Sequence, residues 1–130
     1  MSVDPFNEAL THIKNSDFVA HRECTVAKVN KLLLEALKIL KEENYIRDFS
    51  VKEKVGNKKE LNVKLNGMLT NMMAIKPRSP VHYWDLEKFE KRYLPAKSVG
   101  ILILSTPKGL KTNIEAKQEK LGGRLIAFVY

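Results

Sequence analysis

Along this chain, stretches with apolar residues every three or four positions alternate with stretches where they recur every second position. The two periods divide the sequence into helices and strands. "DPFNEALTHIKNS" puts Phe6, Ala9, Leu10 and Ile13 on one helical face. Asp4 stands as its N-cap and Pro5 at the first helical position, where a missing N–H costs nothing. "CTVAKV" is a short strand with Thr25, Val26 and Val29. "NKLLLEALKILKEEN" is the clearest helix, capped by Asn30, with Leu33, Ala36, Leu37 and Leu40 at i, i+3, i+4 and i+7. "YIRDFSVKE" and "ELNVKLN" form a strand pair around the basic turn "KVGNKK" and its Gly56. In the second of these strands Leu61, Val63 and Leu65 alternate with Asn62, Lys64 and Asn66, one face buried and one wet.

Beyond this point the pattern changes. "MMAIKP" is a strand that ends before Pro77. "RSPVHYWDLEKFEKRYLPA" mixes prolines, aromatics and charges, with Asp85 placed to cap a short helical turn. "VGILIL" is a continuous apolar run of strand length, the pattern of a strand buried on both faces. Thr112 and Glu115 have capping-box spacing, so "TNIEAKQEKL" is a short helix, which Gly122 and Gly123 stop. "RLIAFVY" is the last strand. The expected fold is α+β in two small lobes. Residues 1–70 form an α-β-α-β-β lobe, and residues 71–130 form a basic, mainly β lobe with a short helix that carries the Ser105–Thr106 turn.

Charge changes the picture more than composition does. Hydrophobic residues make up 44% and charged ones 29%, values that exclude a disordered chain. The net charge is +8 and uneven. Residues 1–65 hold 12 Lys and Arg against 10 Asp and Glu, whereas residues 66–130 hold 11 against 5. A strongly basic half fits a polyanionic partner, because lysines and arginines that neutralise phosphates release condensed counterions. The single cysteine, Cys24, allows no internal disulfide, and its place in a strand suits a small core residue. His12, His21 and His82 have no cysteine companions and no metal-ligand spacing. No run is long and apolar enough to span a bilayer. The expected setting is cytoplasmic, with no membrane, metal, cofactor or small-molecule substrate.

Enzyme patterns are thin. Ser105 lacks the G-x-S-x-G setting of a nucleophile elbow, and "TPKG" lacks the remaining glycine and hydroxyl of a phosphate-binding loop. The Met68, Met72 and Met73 cluster is simplest as core filling. Asp85, Glu87 and Glu90 are interleaved with lysine and arginine, as on a solvated face. Binding patterns are fuller. Basic residues cluster at Lys52, Lys54, Lys58 and Lys59, at Lys76 and Arg78, at Lys88, Lys91 and Arg92, and at Lys108 and Lys111. Tyr83, Trp84 and Tyr93 lie among them, flat rings suited either to stacking on a base or to closing the core. In "STPKG" the hydroxyls of Ser105 and Thr106 can each donate and accept, and Gly109 permits a turn that a side chain would block. Turn chemistry and ligand contact account for this loop equally well.

The stretch "ILILSTPKGLKTNIEAKQEKLGGRLIAFVY" resembles the C-terminal signature of the universal small-subunit ribosomal protein eight family. In that signature an apolar strand is followed by Ser105, Thr106, Gly109, Leu110, Ala116 and Lys117. "DPFNEALTHIKN", "LKEENYIRDF" and "ELNVKL" are similar to the family's opening helix, its helix-to-strand passage and the following strand. "AIKPRSPV", "EKFEKRYLPA" and "GGRLIAFVY" resemble the archaeal and eukaryotic branch. The likeness runs in order along essentially the whole chain.

The resemblance implies a non-enzymatic structural protein of the small ribosomal subunit. It would bind the central domain of small-subunit rRNA at a stem with an irregular internal loop, support assembly and translation, and lie beside neighbouring small-subunit ribosomal proteins. It implies base contacts by Ser105 and Thr106 within the turn that also holds Lys108, Gly109 and Lys111. Backbone contact falls to Lys58, phosphate contact to Lys31, and an aromatic contact to Tyr83, or to His82 under a shifted alignment. Three positions depart from the family pattern. Pro107 replaces a hydroxyl residue, so the loop would either make fewer base contacts or use Lys108 in compensation, and Arg124 stands where bacterial members carry an acid and would meet phosphate. "VAKVNKL" lacks the family's proline and serine. The alternative is a small RNA-cleaving or RNA-modifying enzyme using His82 with Asp85 as an acid–base pair.

Overall fold

The computed structural model describes residues 5–26, 31–56, 58–75, 78, 80–96 and 99–130. The side chains of Pro5, Lys54 and Lys58 are not among what it describes. The chain divides into two compact units, Met1–Thr70 and Asn71–Tyr130. The fold is α+β, each unit carrying its own sheet and helices.

In the first unit, helix α1 (Pro5–Phe18) buries Phe6, Ala9, Leu10 and Ile13, the face that helical spacing predicts. Helix α2 (Lys31–Glu42) buries Leu33, Ala36, Leu37, Ile39 and Leu40. Strands β1 (Glu23–Val26), β2 (Asp48–Lys54) and β3 (Lys58–Lys64) form an antiparallel sheet in the order β1-β3-β2. Helix α1 packs against β1 and α2, and α2 against β2. The expected caps Asp4 and Asn30 lie outside the described residues. Cys24 is buried on β1, where burial pushes its thiol up despite a lowering hydrogen bond with Ser16; Asp17 adds to the rise.

One polar group closes this unit. Asp17 is buried at the end of α1, and its carboxylate accepts the Gly67 N–H at 2.8 Å and the Leu69 N–H at 2.9 Å. The chain leaving β3 is thereby tied to the end of the first helix. A buried carboxylate is tolerated when backbone donors surround it, and here two do.

The second unit holds β4 (Met72–Ala74), β5 (Pro80–Val81), a 3-10 turn at Tyr83–Asp85, α3 (Leu86–Tyr93), β6 (Ile101–Thr106), β7 (Gly109–Thr112), α4 (Asn113–Glu119) and β8 (Gly123–Val129). The sheet order is β4-β8-β6-β7, with β5 pairing with β8 as well. Leu102, Leu104 and Leu125 join Ile75, Val81, Leu86, Leu94 and Ala116 in one apolar cluster. This unit carries more helix than the single short one expected from the sequence. Leu86 is fully buried and Leu94 nearly so, which seats α3 on the sheet despite its many charges.

Four local differences from the sequence reading have physical causes. The loop after β6 is a hairpin, because β7 pairs with β6 from Ile103–Thr112 to Thr106–Gly109. The stop after α4 is Lys120, in the left-handed conformation at φ 54°, with the Leu121 N–H reaching the Ala116 carbonyl at 2.9 Å. Gly122 and Gly123 are used for close packing instead. Asp85 does occupy the cap position of α3, but its side chain makes no capping bond, because its backbone is already helical. Of the three methionines only Met72 fills the core; Met68 and Met73 are exposed. The Thr112 cap is formed as its spacing predicts. Its hydroxyl accepts from the Glu115 N–H at 3.2 Å and lies 3.3 Å from the Glu115 carboxylate.

Candidate nucleic-acid interface

The β6–β7 hairpin carries the Ser105–Thr106 pair, and its two hydroxyls do different things. Thr106 is buried, and its Oγ1 donates to the Gly109 carbonyl at 2.7 Å while accepting the Lys108 N–H at 3.2 Å. That side chain locks the turn. Pro107 supplies a fixed φ at a position whose N–H the turn does not need. Gly109 takes φ 103°, which side chains rarely adopt. Ser105 is exposed, and among the described residues its hydroxyl has no partner.

Ser105 sits directly across from Arg124 on β8, and Arg124 across from Pro80 on β5. Opposed residues of an antiparallel pair share a face with Cβ atoms about 5 Å apart. A free hydroxyl and an exposed guanidinium are therefore neighbours on the same rung. Lys108 is exposed at the tip of the same hairpin.

The paired glycines make this rung possible. A Cβ on Gly123 would fall almost on the Ser105 carbonyl oxygen and 3.2 Å from Thr106 Cγ2. A Cβ on Gly122 would fall 2.8 Å from the Val81 carbonyl oxygen and 3.4 Å from His82 Cα. Gly122 and Gly123 thus let the Ser105–Thr106 turn and the Val81–His82 step both close onto the start of β8.

The remaining expected site residues are placed as follows. Lys111 is half-buried and engaged by Glu115 at 3.8 Å and Glu119 at 3.5 Å, so its charge is largely answered from within. Tyr83 is half-buried against the apolar cluster, with its ring edge-on to Trp84 at 5.1 Å. His82 lies flat on Trp84, and the side chains of His82 and Asp85 share no hydrogen bond among the described residues. Lys31 is exposed at the start of α2, in the first unit. Lys58 opens β3, and its side chain lies outside what is described. The described residues hold no group of His, Cys, Asp or Glu suited to a metal ion and no helix long and apolar enough to cross a membrane.

Sequence reasoning missed the role of Asn113. It is buried at the start of α4, and its Oδ1 accepts the Leu102 N–H at 3.1 Å. The side chain carries on the bonding of β6 one step past the end of β7, so the hairpin and the helix are fixed to each other. Asparagine after a capping threonine was the available signal.

Residues 4–130 match the family model described as ribosomal protein S8. The chain belongs to that family. It is 43% identical over 131 residues to the small ribosomal subunit protein uS8 of Thermoplasma volcanium and to that of Thermoplasma acidophilum, with 100% of each chain covered. It is 41% identical over 128 residues to the small ribosomal subunit protein uS8 of Methanococcoides burtonii, covering 98% of each chain. Membership explains the ordered motifs along the chain. Within the family, the geometry of this member sorts its turn into a locking residue, Thr106, and a free one, Ser105.

Proposed function

We propose that this chain is a structural protein of the small ribosomal subunit that binds the central domain of small-subunit rRNA at a stem with an irregular internal loop. Family membership supports the ribosomal role. The observation that carries the RNA reading is the rung on which the unpartnered Ser105 hydroxyl stands beside exposed Arg124. A-form RNA hides its major groove, so a specific reader needs exposed bases in a loop and a rigid group to meet them. Ser105, held by a turn that Thr106 and Gly109 fix, is such a group. Arg124 and Lys108 supply charge for the flanking phosphates. Lys31 and Lys58 extend the phosphate contacts to the first unit, and Tyr83 acts mainly by positioning the turn before α3. Neighbouring small-subunit proteins are the other partners, the setting is the cytoplasmic ribosome, and the role is not catalytic.

The test is binding to a central-domain stem with its internal loop, beside a fully paired stem of equal length, over a salt series. Preference for the looped stem should survive raised salt. Ser105→Ala should weaken looped-stem binding by about 1–3 kcal/mol with little effect on the paired stem. Arg124→Gln should weaken both alike and lower the salt slope by about 1. Equal affinities that collapse together with salt, with Ser105→Ala silent, would reduce the rung to a surface feature of a basic protein.

A further inference from the structure

Trp84, the only tryptophan of the chain, is 64% exposed. A large ring left in water at a rigid position is the informative kind of exposure. This one is held in place. The His82 ring backs it in parallel at 4.3 Å with 5° between the planes, and the Tyr83 ring meets it edge-on at 80°. Tyr83 is itself anchored in the apolar cluster. The indole is therefore a fixed flat plate.

What surrounds the plate selects the ligand. Trp84, Lys88 and Arg92 follow at four-residue steps along the 3-10 turn and α3, with Lys91 beside them, so the plate opens onto a cationic stripe. An open groove of about 610 Å³ is lined by Trp84, Asp85, Glu87, Lys88, Lys91 and Arg92. Its two acids offset part of the charge. Glu87 faces Lys91 at 4.0 Å, whereas Lys88 has no ion-pair partner among the described residues. The Arg92 guanidinium lies 5.6 Å from the Tyr93 ring centre and is exposed to solvent. A π-face followed by cations about one helical pitch, roughly 5.4 Å, apart suits a strand whose bases are unpaired and whose phosphates follow one another.

We infer that the His82–Trp84 plate and the Lys88–Arg92 stripe form a second RNA subsite, which stacks one unpaired base on the indole and carries the adjoining single-stranded backbone along α3. The inference rests on the proposed function for the identity of the polyanion as RNA. It adds a subsite for single strand next to the Ser105 rung, to which Gly122 brings the Val81–His82 step close.

The sole tryptophan is also the reporter. An unstructured oligoadenylate should quench Trp84 fluorescence saturably and more strongly than a fully paired stem does. Base stacking on an aromatic side chain is worth about 1–3 kcal/mol, so Trp84→Ala should weaken oligoadenylate binding, read by anisotropy of labelled RNA, about five- to hundredfold. Trp84→Phe should keep most of the affinity. Lys88→Gln and Arg92→Gln should each lower the single-strand salt slope by about 0.7. No quenching by any RNA, or unchanged affinity in Trp84→Ala, overturns the subsite and returns the plate to a protein contact. The two readings fail separately. Loss of looped-stem preference with quenching retained sinks the central-domain assignment alone, and intact preference with Trp84→Ala silent on oligoadenylate sinks the subsite alone.

Discussion

The two units close their sheets with opposite chemistry. In the first, a charged side chain does it: the Asp17 carboxylate goes inside and accepts two backbone N–H groups from the chain that follows β3. Phe18, Val19 and Met68 are left exposed around that closure. In the second, the buried polar side chains are neutral. Thr106 and Thr112 bond to the backbone of their own hairpin and helix, Asn113 at the start of α4 accepts from the backbone of β6, and the exposed positions carry Ser105, Lys108, Arg124 and Trp84. The contrast teaches where ligand chemistry can sit. A turn that satisfies itself with one hydroxyl can present the other to a ligand at no structural cost. A closure that depends on a single carboxylate has nothing to spare.

The sharpest way to break this contrast is Asp17→Ala. It leaves the buried Leu69 N–H and the part-buried Gly67 N–H without their acceptor, and an unsatisfied buried donor costs about 1–3 kcal/mol. We expect a loss of about 2–4 kcal/mol in urea unfolding. Asp17→Asn, which keeps one acceptor oxygen, should fall between. A variant as stable as the parent would mean that the loop after β3 is held by packing alone.

Next in size is Gly123→Ala, which forces β8 away from the Ser105 carbonyl. Overpacking of this kind costs about 1–3 kcal/mol. Because the displaced atoms belong to the proposed reader, looped-stem affinity should fall by more than the loss of stability explains. Ser105→Ala should show the reverse, a binding loss with unchanged melting. Were both variants to lose binding and stability in proportion, the division between the locking and the free hydroxyl would collapse.

The smallest effect concerns charge at the surface of the first unit. Lys41 lies 3.1 Å from Asp48, and its hydrogen bond, followed by one from the Phe49 N–H, holds the Asp48 carboxyl below the usual carboxylate range. A folded pKa below the unfolded one gives stability that is complete above about pH 4 and is lost as pH falls through the folded value. Lys41→Gln should flatten that part of the acid unfolding curve and leave neutral stability nearly unchanged, as for exposed pairs in general. A larger neutral-pH loss would show the pair to be more than a surface contact.

Much of the fold was legible in the pattern of the chain. The buried faces of α1 and α2, the β2–β3 pair, β6 and the Thr112–Glu115 capping box all follow from local spacing. What spacing hid were the short pieces. Strand β5 has two residues, and β7 exists only because β6 lies opposite it. The stripe at Trp84, Lys88 and Arg92 was written in the sequence at helical steps, but the mixed composition around it masked the helix.

By itself, then, the sequence determined the α+β elements, the basic second half and the family, since each depends on residues close together in the chain or in recurring order. Only the tertiary structure decided that Thr106 is occupied and Ser105 free, that Glu119 as well as Glu115 answers Lys111, that Gly122 and Gly123 serve close approach, and that Trp84 faces water. Those outcomes depend on hydrogen bonds a few ångströms long and on the space across neighbouring strands. Both are set by which segments pack together, and hydrophobic periodicity along one segment does not record them.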